Sequence, residues 1–134
     1  MNWNKVEIVF SFVGLLLLYS CSKPLVVQQI ITDPAEHHMK FIPENPGSND
    51  EIKLVIFDDC NYNTLAGLTK NGNTIEIKKQ FNSLMKRPCF IQNDTIIIGK
   101  LAEGTYTIHY QLMDIARTPP VATLSLYFIL PIAR

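Results

Sequence analysis

The segment "LAEGTYTIHYQL", Leu101–Leu112, decides the fold because a turn containing a glycine leads directly into an alternating strand. Successive side chains of a strand point to opposite faces, so one face of this segment carries Tyr106, Ile108, Tyr110 and Leu112. The other face is polar. An alternation of this kind is typical of an antiparallel sheet with one face on a core and one face in water.

Two neighbouring segments repeat this pattern. Thr123–Leu130 is predicted to be the last strand, with its leucines and Phe128 directed inward. Leu68–Lys78 contains Asn71-Gly72, which suits the positive φ angles of a type I′ turn, and Ile75 and Ile77 alternate with polar residues. This second segment is predicted to be a β-hairpin with one solvated face.

Three further strands and the loops between them complete the prediction. Strands are expected at residues 26–32, 51–58 and 95–98, residues 43–50 form a loop rich in Pro, Gly and Asn, and residues 81–87 fit either a helical turn or a loop. Short strands with frequent turns and no amphipathic helix favour an all-β fold. The sequence therefore predicts an antiparallel β-sandwich of about seven strands over residues 26–134.

Length and charge restrict the classes of function. A chain of 134 residues, less a leader, is long enough for one domain and too short for two. Lys and Arg number 12, as do Asp and Glu, so the formal net charge is zero. Nucleic-acid affinity depends on neutralising phosphates with a basic surface. No nucleic-acid partner is expected.

Residues 1–20 have the pattern of a secretory signal peptide. Lys5 precedes an apolar run, Ile8–Leu18, which is about half of the 20 or so residues that a helix needs to cross a bilayer. A run this short, followed by a small residue at Ser20, is typical of a cleaved leader. Cleavage before Cys21 would leave residues 21–25 as a short tether.

The tetrapeptide "LYSC", Leu18–Cys21, resembles the lipobox of bacterial lipoproteins. This resemblance implies that Cys21 is lipidated and holds the protein in the membrane through its amino-terminal lipid. No acidic residue follows in Ser22–Leu25. We expect an outer-membrane lipoprotein, and both the periplasmic and the cell-surface face stay open. The alternatives are an ordinary signal peptide with a chance cysteine and an uncleaved anchor.

The two remaining cysteines, Cys60 and Cys89, are predicted to form a disulfide. Three cysteines are an odd number for an exported protein, and lipidation of Cys21 removes that oddity. Disulfides persist in oxidising compartments. Two buried thiols are the alternative, while a redox pair lacks the close Cys-x-x-Cys spacing.

The passage "IGKLAEGTYTIHYQL", Ile98–Leu112, resembles the turn that leads into the penultimate strand of immunoglobulin-like and fibronectin-like domains. The chain is similar to small immunoglobulin-like lipoproteins of Gram-negative envelopes. The resemblance implies that Tyr106 forms a structural tyrosine corner, with a buried ring and a hydroxyl bonded to nearby backbone. The chain departs from antibody domains because its one tryptophan, Trp3, lies in the predicted leader.

Candidate catalytic and metal-binding residues are sparse. His37 and His38 are neighbours in an extended chain without a second cluster of ligands, so no metal and no cofactor is expected. His109 is predicted to be a surface residue, and no nucleophile elbow accompanies it. Asp58 and Asp59 are interpreted as solubilising loop residues. We therefore do not expect an enzyme.

These observations favour a non-enzymatic envelope module that meets an unidentified protein partner through its loops or an edge strand. The alternative is a small periplasmic or surface binder or inhibitor that presents Tyr62 and the disulfide-held loop to an enzyme or a glycan. A glycan site would need exposed aromatic rings, for which Tyr62, Phe90 and Tyr127 are the candidates. Asp94-Thr95-Ile96 also matches a bacterial O-glycosylation pattern with Thr95 as the acceptor.

Overall fold

The computed structural model describes residues 30–134, so the leader, Cys21 and the tether lie outside the described residues. A short 3-10 helix precedes seven strands. The bounds are Pro34–His37 for the 3-10 helix, Met39–Ile42 (β1), Ile52–Cys60 (β2), Thr64–Asn71 (β3), Thr74–Phe81 (β4), Ile91–Gly99 (β5), Gly104–Asp114 (β6) and Val121–Ile132 (β7). Within residues 30–134 no helix is long and apolar enough to cross a membrane.

The strands form two sheets, which confirms the predicted all-β sandwich. One sheet has the order β1-β2-β5 and the other has the order β3-β4-β6-β7. Four of the five pairs are antiparallel, whereas β4 and β6 are parallel, with Ile77 opposite Tyr110. The chain leaves β4, runs back through β5 in the other sheet and returns as β6. Because the chain crosses between the sheets twice, β6 runs in the same direction as β4. The sequence predicted only antiparallel pairs, so this parallel pair was not predicted.

The core lies between the inner faces of the two sheets. Ile108 on β6 and Phe128 on β7 are opposite each other and have no exposed surface, and Phe41 on β1 meets Phe128 edge-on with ring centroids 6.2 Å apart. The alternation predicted for the last two long strands is present. Buried apolar and aromatic members of those strands are Tyr106, Ile108, Tyr110, Leu126, Phe128, Leu130 and Ile132, while Leu112 and Leu124 are half-buried.

The β3–β4 hairpin forms where it was predicted but with a different turn. Asn71 pairs with Thr74, so the two turn residues are Gly72 and Asn73 rather than Asn71 and Gly72. Only Gly72 has a positive φ, of 57°. A glycine at the first turn position is the requirement of a type II′ turn, which suits strand twist as well as type I′ does.

Residues 26–29 of the predicted strand 26–32 lie outside the described residues. In the described remainder, Ile31 makes a single bridge to Tyr127. Asp33 explains the early end of this pairing. Its side chain accepts a hydrogen bond from the backbone of Ala35 at 2.9 Å and caps the 3-10 helix that Pro34 begins. Side-chain bonds to local backbone compete with sheet pairing in this way.

Candidate functional site

One end of the sandwich gathers three loops. Strands β2, β4 and β6 end there and β3, β5 and β7 begin there, joined by residues 61–63, 82–90 and 115–120. The pairs Cys60–Ile91 and Asp114–Val121 show that both sheets reach this end. We call these three loops and the strand residues that border them the loop end.

The loop end exposes large apolar side chains. Leu84 is 74% exposed, Phe90 is 70% exposed and Ile91 is 62% exposed. The other exposed apolar residues at this end are Met85, Ile115 and Val121, and the exposed cations are Lys86, Arg87 and Arg117. Exposed apolar groups that cluster, unlike single ones, mark interaction sites.

The predicted disulfide holds the longest of these loops. Cys60 and Cys89 are bonded, with their Cα atoms 5.5 Å apart. Beside this bond, the Asn61 side-chain oxygen accepts a hydrogen bond from the Phe90 amide at 2.9 Å, and the Asn61 amide donates to the Phe90 carbonyl at 3.0 Å. The loop 82–90 is therefore tied to the end of β2 by one covalent bond and two hydrogen bonds.

Asp114 ties the loop 82–90 to the loop 115–120. Its carboxylate is buried at the end of β6 and accepts hydrogen bonds from the backbone amides of Ser83 at 3.2 Å and Ala116 at 3.0 Å. Hydrogen bonding from the Ser83 side chain lowers the pKa of Asp114, with further lowering by the two amides and by Arg117, against the opposing effect of desolvation. The charged Asp114 carboxylate therefore accepts hydrogen bonds that hold residues 83 and 116 in place.

A buried lysine lies beneath the loop end. The Lys79 side chain on β4 has no exposed surface and contacts the carboxylates of Asp59 on β2 and Asp94 on β5. Its Nζ is 2.5 Å from Asp94 Oδ2, while Asn63 Nδ2 donates to Asp59 Oδ1 at 2.7 Å. The prediction that Asp59 is a solvated loop residue is wrong, since it is 9% exposed.

The electrostatics of Tyr110 reflect this cluster. Burial raises the pKa of the Tyr110 phenol, and the negative charges of Asp59 and Asp94 raise it further. A cavity of about 240 Å³ adjoins the two carboxylates. Its lining residues are Asp59, Cys60, Asn63, Thr64, Leu65, Gln92, Asp94, Thr95 and Ile96.

The structure separates the other residues singled out from the sequence. Tyr62 is half-buried in the loop 61–63 and Thr95 is exposed on the edge strand β5. Tyr106 lies at the opposite end of the sandwich, where its hydroxyl donates to the carbonyl of Ala102 at 3.0 Å. Neither Tyr106 nor Thr95 belongs to the loop end, although Thr95 lines the cavity beside it.

His109 makes a polar arrangement on the outer face of the four-stranded sheet. Its ring stacks on Tyr127 at 4.2 Å, Nε2 lies 2.9 Å from Ser125 Oγ, and Nδ1 lies 3.8 Å from Glu76 Oε1. These contacts join side chains of β4, β6 and β7 on the outer face of the sheet.

The two adjacent histidines contact different partners. His37 Nε2 lies 3.2 Å from Thr32 Oγ1, and His38 Nδ1 lies 3.6 Å from Asp58 Oδ2. Among residues 30–134 no three His, Cys, Asp or Glu side chains are grouped in a way that could hold a metal ion.

A second cavity, of about 570 Å³, runs between the edge strands β1 and β7. Its wall includes Phe41 and Ile42 on one side and Ile129, Leu130 and Pro131 on the other. Pro131 has no backbone N–H to offer an added strand. The loop end is the stronger candidate site because Leu84 and Phe90 are more exposed than Ile42 and Ile129 of this cavity.

Comparisons with protein-family models, with curated proteins and with solved structures found no match to this chain. Its function is therefore inferred from the geometry of the loop end.

Proposed function

We propose that the protein is a non-enzymatic, lipid-anchored module of the outer membrane that binds an envelope protein through its loop end. One observation carries the proposal: Leu84 and Phe90 are the most exposed large apolar residues of the loop 82–90, which the disulfide and Asp114 hold in place. A surface that is fixed before binding loses less conformational entropy on association.

The composition of the loop end fits a protein contact. Aromatic residues, methionine and arginine are enriched in protein interfaces, and the loop end presents Met85, Phe90, Arg87 and Arg117. The cations at its border favour a partner with an apolar acceptor site surrounded by acidic groups. Charge complementarity of this kind raises the association rate and selects against wrong partners.

The proposed anchor is the lipid on Cys21. The predicted tether, residues 21–25, has five residues, and an extended chain of that length reaches at most about 18 Å. Such a tether gives the domain access to partners close to the membrane. A lipoprotein supplies more than one acyl chain, which stable anchoring requires.

The immunoglobulin-like or fibronectin-like family is part of the proposal. The hydroxyl of Tyr106, bonded to Ala102 four residues upstream, supports a tyrosine corner. The parallel β4–β6 pair departs from the purely antiparallel sheets of that family.

Site-specific photo-crosslinking in intact cells tests the function. A photoreactive amino acid at Phe90 is expected to give one discrete protein adduct that is lost when Leu84→Asp is added. The matched control is the same probe at Asn73, an exposed turn residue at the opposite end, which is expected to give no adduct.

Three outcomes would contradict the proposal. The first is equal crosslinking from positions 73 and 90, and the second is an adduct at Phe90 that survives Leu84→Asp. The third is binding of the unlipidated Cys21→Ser protein to anionic vesicles in a Phe90-dependent manner, which would indicate a membrane surface instead. Glycan binding that depends on Tyr62 would favour the alternative function.

A further inference from the structure

Lys79 contacts two carboxylates although it is a fully buried lysine, which is unusual. The Lys79 side chain has no exposed surface, and both acids come from neighbouring strands of the opposite sheet. Removing ions from water costs several kcal/mol for each ion, and Coulomb attraction offsets this only with good geometry. The interaction surface proposed above does not use this group.

We propose that Lys79 and Asp59 form an intramolecular amide bond between Nζ and Cγ, with Asp94 as the group that moves the proton. The three side chains already meet without any rearrangement of the fold. Lys79 touches both acids, and each acid lies on a different strand.

The surroundings of the two acids assign their roles. The Asp59 side chain is 8% exposed, and its Oδ1 accepts a hydrogen bond from Asn63 Nδ2 at 2.7 Å, which stabilises negative charge on that oxygen when an amine attacks Cγ. The Asp94 side chain is 36% exposed and contacts Nζ from the solvent side. Asp59 is therefore the acyl group, and Asp94 is the acid-base group.

The condensation balances in atoms and charge. Asp94 takes a proton from the Lys79 ammonium, and the free electron pair of Nζ attacks Cγ of Asp59. The C–N bond forms, and the bond from Cγ to Oδ2 breaks. Oδ2 leaves as water and carries two protons that began on the Lys79 ammonium. Asp94 delivers one of these two protons. Oδ1 remains as the amide oxygen, and one ammonium proton remains on the amide nitrogen.

The site favours this product over the ion pair. Groups held in contact react with effective molarities of about 10⁵ M or more in well-oriented cases. The product contains neither the charge of Lys79 nor that of Asp59, so it avoids the free-energy cost of keeping these two ions out of water. The adjoining cavity of about 240 Å³ gives the released water a way out.

The bond would join β2 to β4 and therefore one sheet to the other. It would lie next to Cys60, whose disulfide fixes the loop 82–90. Two covalent links would then brace the loop end from below.

Peptide mapping of the reduced and alkylated wild-type protein tests this directly. Trypsin is expected to release residues 54–70 joined to residues 79–86, at the summed mass of the two peptides less one water. The intact reduced protein is expected to be lighter by one water than the mass calculated for the same mature chain without the bond. Two separate peptides of unmodified mass would overturn the proposal, as would a water loss confined to residues 54–70, which indicates a succinimide.

Variants identify the reacting groups. Lys79→Met and Asp59→Ala are expected to show no water loss relative to their calculated masses, whereas Lys78→Met, which changes the exposed neighbour, should keep the water loss. Asp94→Asn is expected to slow or abolish the bond while circular dichroism shows a folded protein. Complete crosslinking in Asp94→Asn would overturn the role of Asp94.

Discussion

Lys79 on β4 contacts Asp59 on β2, so a buried contact between two polar side chains joins the two sheets beneath the loops that carry Leu84 and Phe90. Asp94 contacts the same Nζ from β5. These contacts connect the two inner faces of the sandwich through a polar group where the rest of the core is apolar.

Replacing Lys79 with methionine is expected to destabilise the protein strongly. The change leaves Asp59 buried without its partner, and removing one partner of a buried pair costs about 3–5 kcal/mol of the free energy of unfolding. The matched control is Lys78→Met on the exposed face of the same strand, with an expected effect within about 0.5 kcal/mol. Urea denaturation measures both, and equal midpoints for the two variants would argue against a structural role for the cluster.

Removing the hydroxyl of Tyr106 is expected to cost about 0.5–1.5 kcal/mol, because the Ala102 carbonyl loses its side-chain donor. Tyr106→Phe keeps the buried ring and so isolates the hydrogen bond. Tyr127→Phe on the adjacent strand is the control. Thermal unfolding compares the two, and a melting temperature unchanged in Tyr106→Phe would show that the corner hydrogen bond contributes nothing.

Loss of the disulfide is expected to lower stability by about 3.5 kcal/mol on the chain-entropy account, given the separation of 29 residues between Cys60 and Cys89. Reduction should also change electrophoretic mobility in the wild type. This mobility change should vanish in Cys60→Ser. An unchanged band together with two titratable thiols would contradict the pairing.

Asp114 is expected to make stability depend on acid pH. Its folded-state pKa is lowered, so its contribution is fully present above the unfolded pKa of about 3.9 and is lost as the pH falls through the folded value. In Asp114→Asn this contribution is absent at every pH. Unfolding midpoints of wild type and variant should therefore differ at pH 7 and converge on acidification, and a constant gap would refute the assignment.

Much of the fold could be predicted because period-two alternation is strong in the strands that line the core. Ile75 and Ile77 were placed inward correctly, as were Leu126 and Phe128. The parallel β4–β6 pair was not predictable from local pattern, because it depends on how the chain crosses between sheets. Strand β5 also extends back to Ile91, well before the predicted residue 95.

The polar cluster was missed for a different reason. Lys79 lies on the same face of β4 as Ile75 and Ile77, so the alternation predicts that it points inward. Lysine is, however, rarely buried, so composition predicts a solvated side chain. Asp59 became buried because Asp58 adopts a positive φ of 54° and shifts the register of β2. Backbone irregularity of this kind has no clear sequence signature.

Hydrogen exchange of the loop 82–90 in the free protein tests the central claim most directly, namely that the loop end is a fixed surface before any partner binds. The amides of Ser83 and Phe90 are hydrogen-bonded to Asp114 and Asn61, so they should exchange slowly, at rates close to those of strand amides. The account predicts that Asp114→Ala, which removes the acceptor oxygen, speeds exchange at Ser83 and leaves Phe90 unchanged. Rapid exchange across the whole loop in the wild type would contradict a preorganised binding surface.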